Sequence, residues 1–230
     1  ARDYYADPAV FDSEGGLNPV KKEIVDYLLE QQTPLIFEPG EILFSQGDEA
    51  KEFYYLISGL SLTYTLFEDG RERNMLISWP DRVFGASTFF ESVPRRASAI
   101  AIKRCEVLVI DRALYAKCCE KFADFRELII QEISRDLGTL FDELADASLM
   151  TAEVRVSRFL CRRFANGQHS GTADNPVLPY TQEFIASVLG MSRMSVSKAV
   201  AGLTGKGWIE TKYGGIRVLD TDALRTYAYG

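Results

Sequence analysis

The side chains best suited to specific chemistry lie between residues 181 and 200, where basic and hydroxyl groups alternate with small and apolar ones. An arginine can donate two parallel hydrogen bonds to a guanine edge, and a lysine can reach a guanine or a phosphate. Arg193 and Lys198 are therefore candidates for contact with DNA. The full set of candidate contact residues is Thr181, Gln182, Ser192, Arg193, Met194, Ser195, Ser197 and Lys198.

The same segment has the spacing of a helix-turn-helix. Gly190 suits the left-handed position that ends a first helix, and Ser192 suits the N-cap of a second. Val196 would then face inward and leave the polar positions outside. A helical hairpin with a solvated polar face is the alternative. Downstream, Trp208–Val218 predicts a two-stranded hairpin around Gly214-Gly215, and this wing favours the DNA-binding interpretation.

Charge is distributed unevenly along the chain. The formal net charge of -7 disfavours nonspecific binding of nucleic acid by the chain as a whole. Residues 151–230, however, hold ten Lys and Arg against six Asp and Glu, whereas residues 1–150 hold sixteen against twenty-seven. A basic C-terminal third on an acidic remainder fits a polyanion-binding module attached to a sensor.

The first half of the chain consists of short β-branched and aromatic runs, many of them separated by glycine-containing turns. The clearest turn is Asp69-Gly70, a pair that supplies the positive φ angles of a tight hairpin. These features predict a small antiparallel β-roll. The predicted strands are Leu35–Phe37, Ile42–Phe44, Phe53–Ile57, Leu60–Phe67, Met75–Trp79, Ala97–Ile102 and Val107–Ile110.

A long helix is predicted after the roll. The pattern becomes helical from Arg112, and residues 123–150 contain no proline and a single glycine. Apolar residues there recur at alternating spacings of three and four, as in a coiled-coil seam, and we expect a homodimer. A helix packed only on its own roll is the alternative, and Leu128, Ile129 and Phe141 are expected to face inward. The seam residues are Ile130, Ile133, Leu137, Leu140, Leu144 and Ala147.

Composition excludes several classes of protein. Four scattered cysteines give neither a disulfide framework nor a closely spaced metal site. No run of eighteen apolar residues and no signal-peptide pattern occurs, so we expect a soluble, cytoplasmic protein without membrane contact, metal or cofactor. The predicted architecture is α+β: an effector-sensing roll at 1–122, a dimerisation helix at 123–150 and a winged helix-turn-helix at 151–230.

In this order of segments, the chain resembles the cyclic-AMP receptor protein family, also called Crp/Fnr, over nearly its whole length. The resemblance implies a jelly roll like that of cyclic-nucleotide-binding domains, and a regulator of transcription rather than an enzyme. It also implies a homodimer on a near-palindromic operator of double-stranded DNA, with a small-molecule effector and RNA polymerase as partners. The sensor segments that carry it are Gly40-Glu41-x-Leu43-Phe44-x-x-Gly47-Asp48, Tyr55-x-Ile57-x-Gly59, Asp69-Gly70, Phe84-Gly85 and Pro94-Arg95-x-Ala97.

Departures from the family pattern bear on the effector. Family members that bind cyclic nucleotides carry a glutamate after Phe-Gly, which accepts the ribose 2′-hydroxyl, and Ala86 stands there in this chain. In an ungapped alignment, Leu140 and Phe141 replace the hydroxyl residues that face adenine. Arg95 or Arg96 can still bind an anion, so a small aromatic or apolar anion is favoured, as in members that sense halogenated phenols. The candidate effector-binding residues are Phe84, Gly85, Ala86, Ser87, Arg95, Arg96, Ala97, Leu137, Leu140 and Phe141.

A further departure concerns the DNA target. Family members commonly carry a glutamate where Met194 stands and an arginine where Lys198 stands. A methionine cannot accept a hydrogen bond from cytosine, but it can pack on the methyl group of thymine. We therefore expect the base preference at that position to shift towards A·T.

Other sensing chemistries and other functional classes fit the sequence less well. No cysteine precedes Cys105, whereas iron-sulfur members use an N-terminal cysteine cluster. The single histidine, His169, lies in a polar loop and is a poor haem ligand. Cys118-Cys119 on an amphipathic helix favours core packing over a redox pair. A regulatory module without DNA binding leaves the helix-turn-helix unexplained, and an enzyme using the roll as its active barrel would lack clustered metal ligands.

Overall fold

The computed structural model describes residues 22–165 and 177–230. These residues form two compact units, one ending at Phe141 and the other beginning at Asp142. Residues 1–21, which fall in the predicted sensor, and the loop with His169 lie outside the described residues. Within the described ranges, no helix combines the length and the apolarity that crossing a membrane requires.

The first unit is built on an antiparallel sheet of six strands. Its elements are α1 (Lys22–Gln31), β1 (Leu35–Phe37), β2 (Ile42–Phe44), β3 (Glu52–Leu66), β4 (Glu72–Ser78), β5 (Arg82–Phe84), α2 (Ala86–Glu91), β6 (Ser98–Asp111), α3 (Arg112–Lys121) and α4 (Phe125–Leu149), which continues into the second unit. The strands pair in the order β1-β6-β3-β4, while β2 also pairs with β6 and β5 with β3. The predicted antiparallel roll is confirmed.

Strands β3 and β6 are each longer than the sequence predicted. Phe53–Ile57 and Leu60–Phe67 were expected as separate strands, but all of these residues except Phe67 lie in one strand, because Gly59 forms an irregularity in the ladder rather than a break. The φ angle of Gly59 is 101°. A Cβ at this position would lie 2.2 Å from the carbonyl oxygen of Arg104, so the close approach of β6 requires glycine.

Each face of the sheet is packed against a cluster of buried side chains. One cluster lies between the strands and the helices, and its largest members are Ile24, Leu28, Phe53, Tyr55, Phe89, Leu108, Ile110, Phe125, Leu128 and Ile129. The other cluster fills the inside of the roll with Leu43, Phe44, Tyr54, Leu56, Phe84, Ala99, Ala101, Cys105 and Val107. Alternation along β3 and β6 explains the division, since successive side chains of a strand point to opposite faces.

The second unit holds the predicted winged helix-turn-helix. Beyond the last turns of α4 it contains α5 (Ala152–Ala165), β7 (Val177–Leu178), α6 (Gln182–Leu189), α7 (Arg193–Gly205), β8 (Ile209–Lys212), β9 (Gly215–Val218) and α8 (Thr221–Tyr229). The three strands pair antiparallel in the order β7-β9-β8. The hairpin turn is formed by Tyr213 and Gly214, because Lys212 pairs with Gly215. The prediction that centred it on Gly214-Gly215 was wrong by one residue.

Helix α4 confirms the predicted long helix and most of its facing pattern. Leu128 and Ile129 are buried as expected, and the seam residues Ile130 and Leu144 are exposed. The prediction that Phe141 faces inward was wrong, because 61% of its surface is exposed. It lies twelve residues beyond Ile129, which at about 100° per residue places it roughly 120° round the helix from the buried face.

Candidate functional site

Two helix caps and one left-handed residue position helix α7. The hydroxyl of Thr181 accepts a hydrogen bond from the Phe184 amide at 3.1 Å, which starts α6. Gly190 ends α6 with a φ of 60°, as the sequence predicted. Ser192 then caps α7 by accepting a hydrogen bond from the Ser195 amide at 3.1 Å. These local signals fix where α7 begins.

Helix α7 buries one face and exposes the other. Val196, Ala199, Val200 and Leu203 are buried in the second unit, which confirms the predicted inner face. Five of the candidate contact residues, Ser192, Arg193, Met194, Ser197 and Lys198, are exposed on the outer side, and Ser195 is half-buried. Met194 is 68% exposed beside Arg193, so its apolar side chain is available for contact on the outer side of the helix.

Arg193 and Lys198 differ from the other basic residues of the second unit. Among the residues that the structure describes, neither has an ion pair or hydrogen bond, whereas the unit's other lysines and arginines are held by carboxylates, carbonyl oxygens or other neighbours. An exposed, uncompensated arginine and lysine on one helix face present a donor surface to a polyanion.

The remaining DNA candidates lie at the start of α6. Thr181 is exposed and Gln182 is half-buried. The Thr181 hydroxyl accepts the capping hydrogen bond, which leaves its own proton and one lone pair for an outward contact. The Ser192 hydroxyl is more fully engaged, because it accepts the cap bond and also lies 2.8 Å from the Ser195 hydroxyl, where either oxygen can donate.

The sensor candidates on the roll converge on the guanidinium of Arg95, which is almost fully buried. Its Nη1 donates to the Gly85 carbonyl oxygen at 2.6 Å, and its Nη2 donates to the Glu52 carbonyl oxygen. The guanidinium carbon lies 4.2 Å from the centre of the Phe44 ring. Burial lowers the pKa of Arg95, while the charge of Glu52 acts in the opposite direction. Its Nε is buried and has no hydrogen-bond partner among the described residues.

The neighbours of Arg95 divide between buried and exposed positions. Phe84 and Ala86 are buried, Gly85 and Ala97 are half-buried, and Ser87 is exposed. The Ala86 side chain carries no acceptor for a ribose hydroxyl. Arg96 points into solvent and pairs with Glu91. Of the two neighbouring arginines, only Arg95 is buried.

The sensor candidates on helix α4 form an open apolar surface. Leu137 is 53% exposed and Phe141 is mostly exposed, whereas Leu140 is half-buried. In the same unit, Arg82 bonds the buried carboxylate of Glu132 at 2.5 Å and lies 3.7 Å from Asp136. Burial raises the pKa of Asp136 to about 6. These ion pairs fix the helix against β5 one turn before the apolar surface.

Sequence reasoning missed a buried ionic cluster in the second unit. Asp146 at the end of α4 binds Arg158 and also Arg162 of α5, the latter at 2.8 Å. Arg158 further donates to the Ala228 carbonyl oxygen of α8 at 2.8 Å. An acidic residue among exposed ones on a long helix gives no signal in the sequence. Only the packing of three helices identifies Asp146 as buried.

No group of three or more His, Cys, Asp or Glu side chains within residues 22–165 and 177–230 is placed to hold a metal ion.

Comparisons with known proteins agree with this arrangement. The model of the cyclic nucleotide-binding domain matches residues 34–122, and that of the Crp-like helix-turn-helix domain matches residues 154–227. The chain is 28% identical over 208 residues to the CRP-like cAMP-activated global transcriptional regulator of Mycobacterium tuberculosis, covering 89% of this chain and 92% of that protein.

Solved structures show the same fold. FixK2 from Bradyrhizobium japonicum superposes with a TM-score of 0.73 at 21% identity, covering 85% of this chain and 96% of that one. CprK in complex with OCPA gives 0.68 at 16% identity, covering 88% and 93%.

Proposed function

The chain belongs to the Crp/Fnr family of DNA-binding transcription regulators, and from that premise we propose that its homodimer binds a near-palindromic operator in response to a small effector. The observation that carries the proposal is the pair of uncompensated cations, Arg193 and Lys198, on the exposed face of α7. The effector must bind the DNA-competent state more tightly than the other state, because a ligand shifts an equilibrium only by its difference in affinity.

Each helix α7 reads one half-site in the major groove in this proposal. Arg193, at the N-terminal end of the helix, donates to the O6 and N7 atoms of a guanine, and Lys198 contacts a guanine or a phosphate. Met194 packs on a thymine methyl group. Two such helices about one turn of DNA apart, roughly 34 Å, match a near-palindrome.

The second copy is recruited through helix α4. Ile130, Leu137 and Leu144 lie at heptad spacing and are all more than half exposed in the single chain. An exposed aliphatic row of this length supports a coiled-coil partner of the same sequence. RNA polymerase is the further protein partner that we propose, since the family regulates transcription.

For the effector we propose a small aromatic or apolar anion rather than cyclic AMP. The M. tuberculosis relative is described as cAMP-activated, but Ala86 offers no carboxylate to a ribose. The unpartnered Nε of Arg95 and the apolar Leu137 and Phe141 support an effector with one anionic group and an apolar body. The structural relative CprK was solved in complex with OCPA, so we add OCPA to the compounds to be tested.

Isothermal titration tests this effector class. Cyclic AMP, a chlorinated phenol and an aromatic carboxylic acid are each titrated into the purified chain, and we expect heat of binding from the phenol or the acid. An Arg95→Lys variant keeps the charge but cannot keep the planar donor set, so it should weaken binding. Tight binding of cyclic AMP with no binding of either aromatic compound would overturn the proposed effector without touching the DNA-binding proposal.

A further inference from the structure

The outer face of the wing carries one acidic residue between two basic ones. Glu210 pairs directly with Arg217 across the β8–β9 ladder, and Lys212 follows Glu210 by two residues on the same strand. All three side chains therefore lie on one face. The opposite face holds the buried Ile209, Ile216 and Val218, so the charged face is the one turned to solvent.

Glu210 holds both cations at once. Lys212 Nζ lies 2.6 Å from one carboxylate oxygen, and Arg217 Nη1 lies 3.3 Å from the other. The hydrogen bond from Lys212 and the positive charges of Lys212 and Arg217 hold the pKa of Glu210 below its usual range, so the carboxylate is ionised at neutral pH. All three side chains remain partly exposed, and exposed pairs of this kind exchange partners readily.

The wing is close to the proposed recognition helix in sequence and in structure. Strand β8 begins four residues after α7 ends, and the Trp208 amide donates to the Leu203 carbonyl oxygen of α7 at 3.2 Å. At the tip of the wing, Tyr213 is fully exposed. The hairpin thus presents two cations and an aromatic side chain beside the helix that is proposed to enter the major groove.

We infer that Lys212 and Arg217 form a second surface for the DNA backbone and that Glu210 limits its affinity by competing with phosphate for both cations. The inference rests on the proposed function. A carboxylate and a phosphate are acceptors of the same kind for lysine and arginine donors. DNA gains the wing contact only by displacing Glu210, and the displaced carboxylate then lies near the phosphates. Glu210 therefore keeps the contact between the wing and the DNA phosphates weak. A larger share of the binding free energy then comes from base contacts by α7.

The test is the salt dependence of DNA binding by a Glu210→Gln variant. Fluorescence anisotropy with a labelled mixed-sequence duplex is measured across a salt series for the wild-type chain and for the variant. The slope of log K against log salt is about -0.9 per neutralised phosphate. Glu210 neutralises one of the two positive charges on the wing, so the variant gains one net positive charge per protomer, and the slope should steepen by about 2 in a dimer. The variant should also bind several-fold more tightly at low salt, with the two chains converging as salt rises.

Two controls separate this role from a general charge effect. Glu153→Gln removes the same charge from a pair with Lys206, the C-cap of α7, outside the wing hairpin, and its slope should stay at the wild-type value. Lys212→Met should change little in the wild-type chain but should reverse much of the effect of Glu210→Gln. Glu210→Ala should reproduce the Gln variant, and all variants should keep the wild-type melting temperature because these side chains are exposed.

Two results would overturn the inference. An unchanged slope for Glu210→Gln in a chain that binds DNA would exclude the competition, and so would an equal change for Glu153→Gln. Both results leave the proposed function intact. Failure of the wild-type chain to bind any duplex, at any salt and with any effector class present, would instead overturn the proposed function together with this inference.

Discussion

At the scale of single residues, the neighbours of a basic side chain decide how readily it can contact DNA. Residues 151–230 contain ten lysines and arginines, and the sequence alone does not distinguish them by role except by helical position. Arg158 is buried on Asp146, and Arg217 is held by Glu210, whereas Arg193 and Lys198 are left open. The spacing after Gly190 predicted that both side chains lie opposite the buried positions of α7, and their exposure is confirmed; their contact with DNA stays a prediction.

Arg193→Ala tests the base contact at this scale. Loss of a bidentate contact to guanine should cost about 1–3 kcal/mol of DNA-binding free energy, or roughly five- to 150-fold in affinity. The measurement is anisotropy with an enriched operator and with mixed-sequence DNA, and the operator should lose more. Lys117→Ala, which removes an exposed cation from α3 of the sensor, is the matched control and should leave both affinities unchanged. Equal losses on both duplexes would assign Arg193 to the backbone instead.

Met194→Glu tests base preference at the next position. A glutamate can accept a hydrogen bond from cytosine N4, whereas a methionine cannot and can pack on a thymine methyl instead. Selection of duplexes with the variant should therefore move one position of each half-site from A·T towards G·C. Identical consensus sequences from the two proteins would show that this side chain, though 68% exposed, does not touch a base.

At the scale of elements, those with a local signal were predictable and those fixed by packing were not. The capping residues Gly190 and Ser192 predicted the end of α6 and the start of α7 to within a residue. The apolar spacing of the seam predicted helix α4. The three-residue strand β5, the short helix α2 and the two-residue strand β7 have too few residues for a periodicity. The sequence predicted separate strands on either side of Gly59. The reason for glycine there is its close approach to Arg104, which is far away in sequence and visible only in the folded chain.

The buried pair between Asp146 and Arg158 leads to a stability prediction for the second unit. Asp146→Ala would leave the Arg158 charge buried without its carboxylate, which should cost about 3 kcal/mol of unfolding free energy. Chemical denaturation followed by tryptophan fluorescence measures it, in a Trp79→Phe background that leaves Trp208 as the reporter. Asp142→Ala removes a mostly exposed carboxylate that lies 4.0 Å from Arg162, and it should cost less than about 0.5 kcal/mol. Comparable losses for the two variants would contradict the importance of burial.

Helix α4 carries the prediction for assembly. Leu137→Glu places a charge in the proposed seam, where a second copy would bury it, so the variant should sediment as a monomer at micromolar concentration. Gln131→Glu makes the same acidic change at an exposed position of the helix one residue after the seam residue Ile130, and it should remain dimeric. A monomeric wild-type chain would contradict the seam outright.

At the scale of the whole molecule, the chain has an acidic N-terminal part, a basic C-terminal third and a long helix between them with an exposed aliphatic row. The net charge of -7 disfavours indiscriminate DNA binding, and only two basic residues of the second unit are uncompensated among those the structure describes. Affinity for DNA should therefore depend on two correctly spaced recognition helices and on a bound effector rather than on bulk charge.

Selection of random duplexes by the purified chain, with and without phenols, aromatic acids and cyclic nucleotides, tests this account most directly. We expect a near-palindrome to be enriched in the presence of the aromatic anions and to be weak or absent without them. Enrichment that is equally strong with no compound present would contradict effector control. No enrichment under any condition would contradict sequence-specific DNA binding itself.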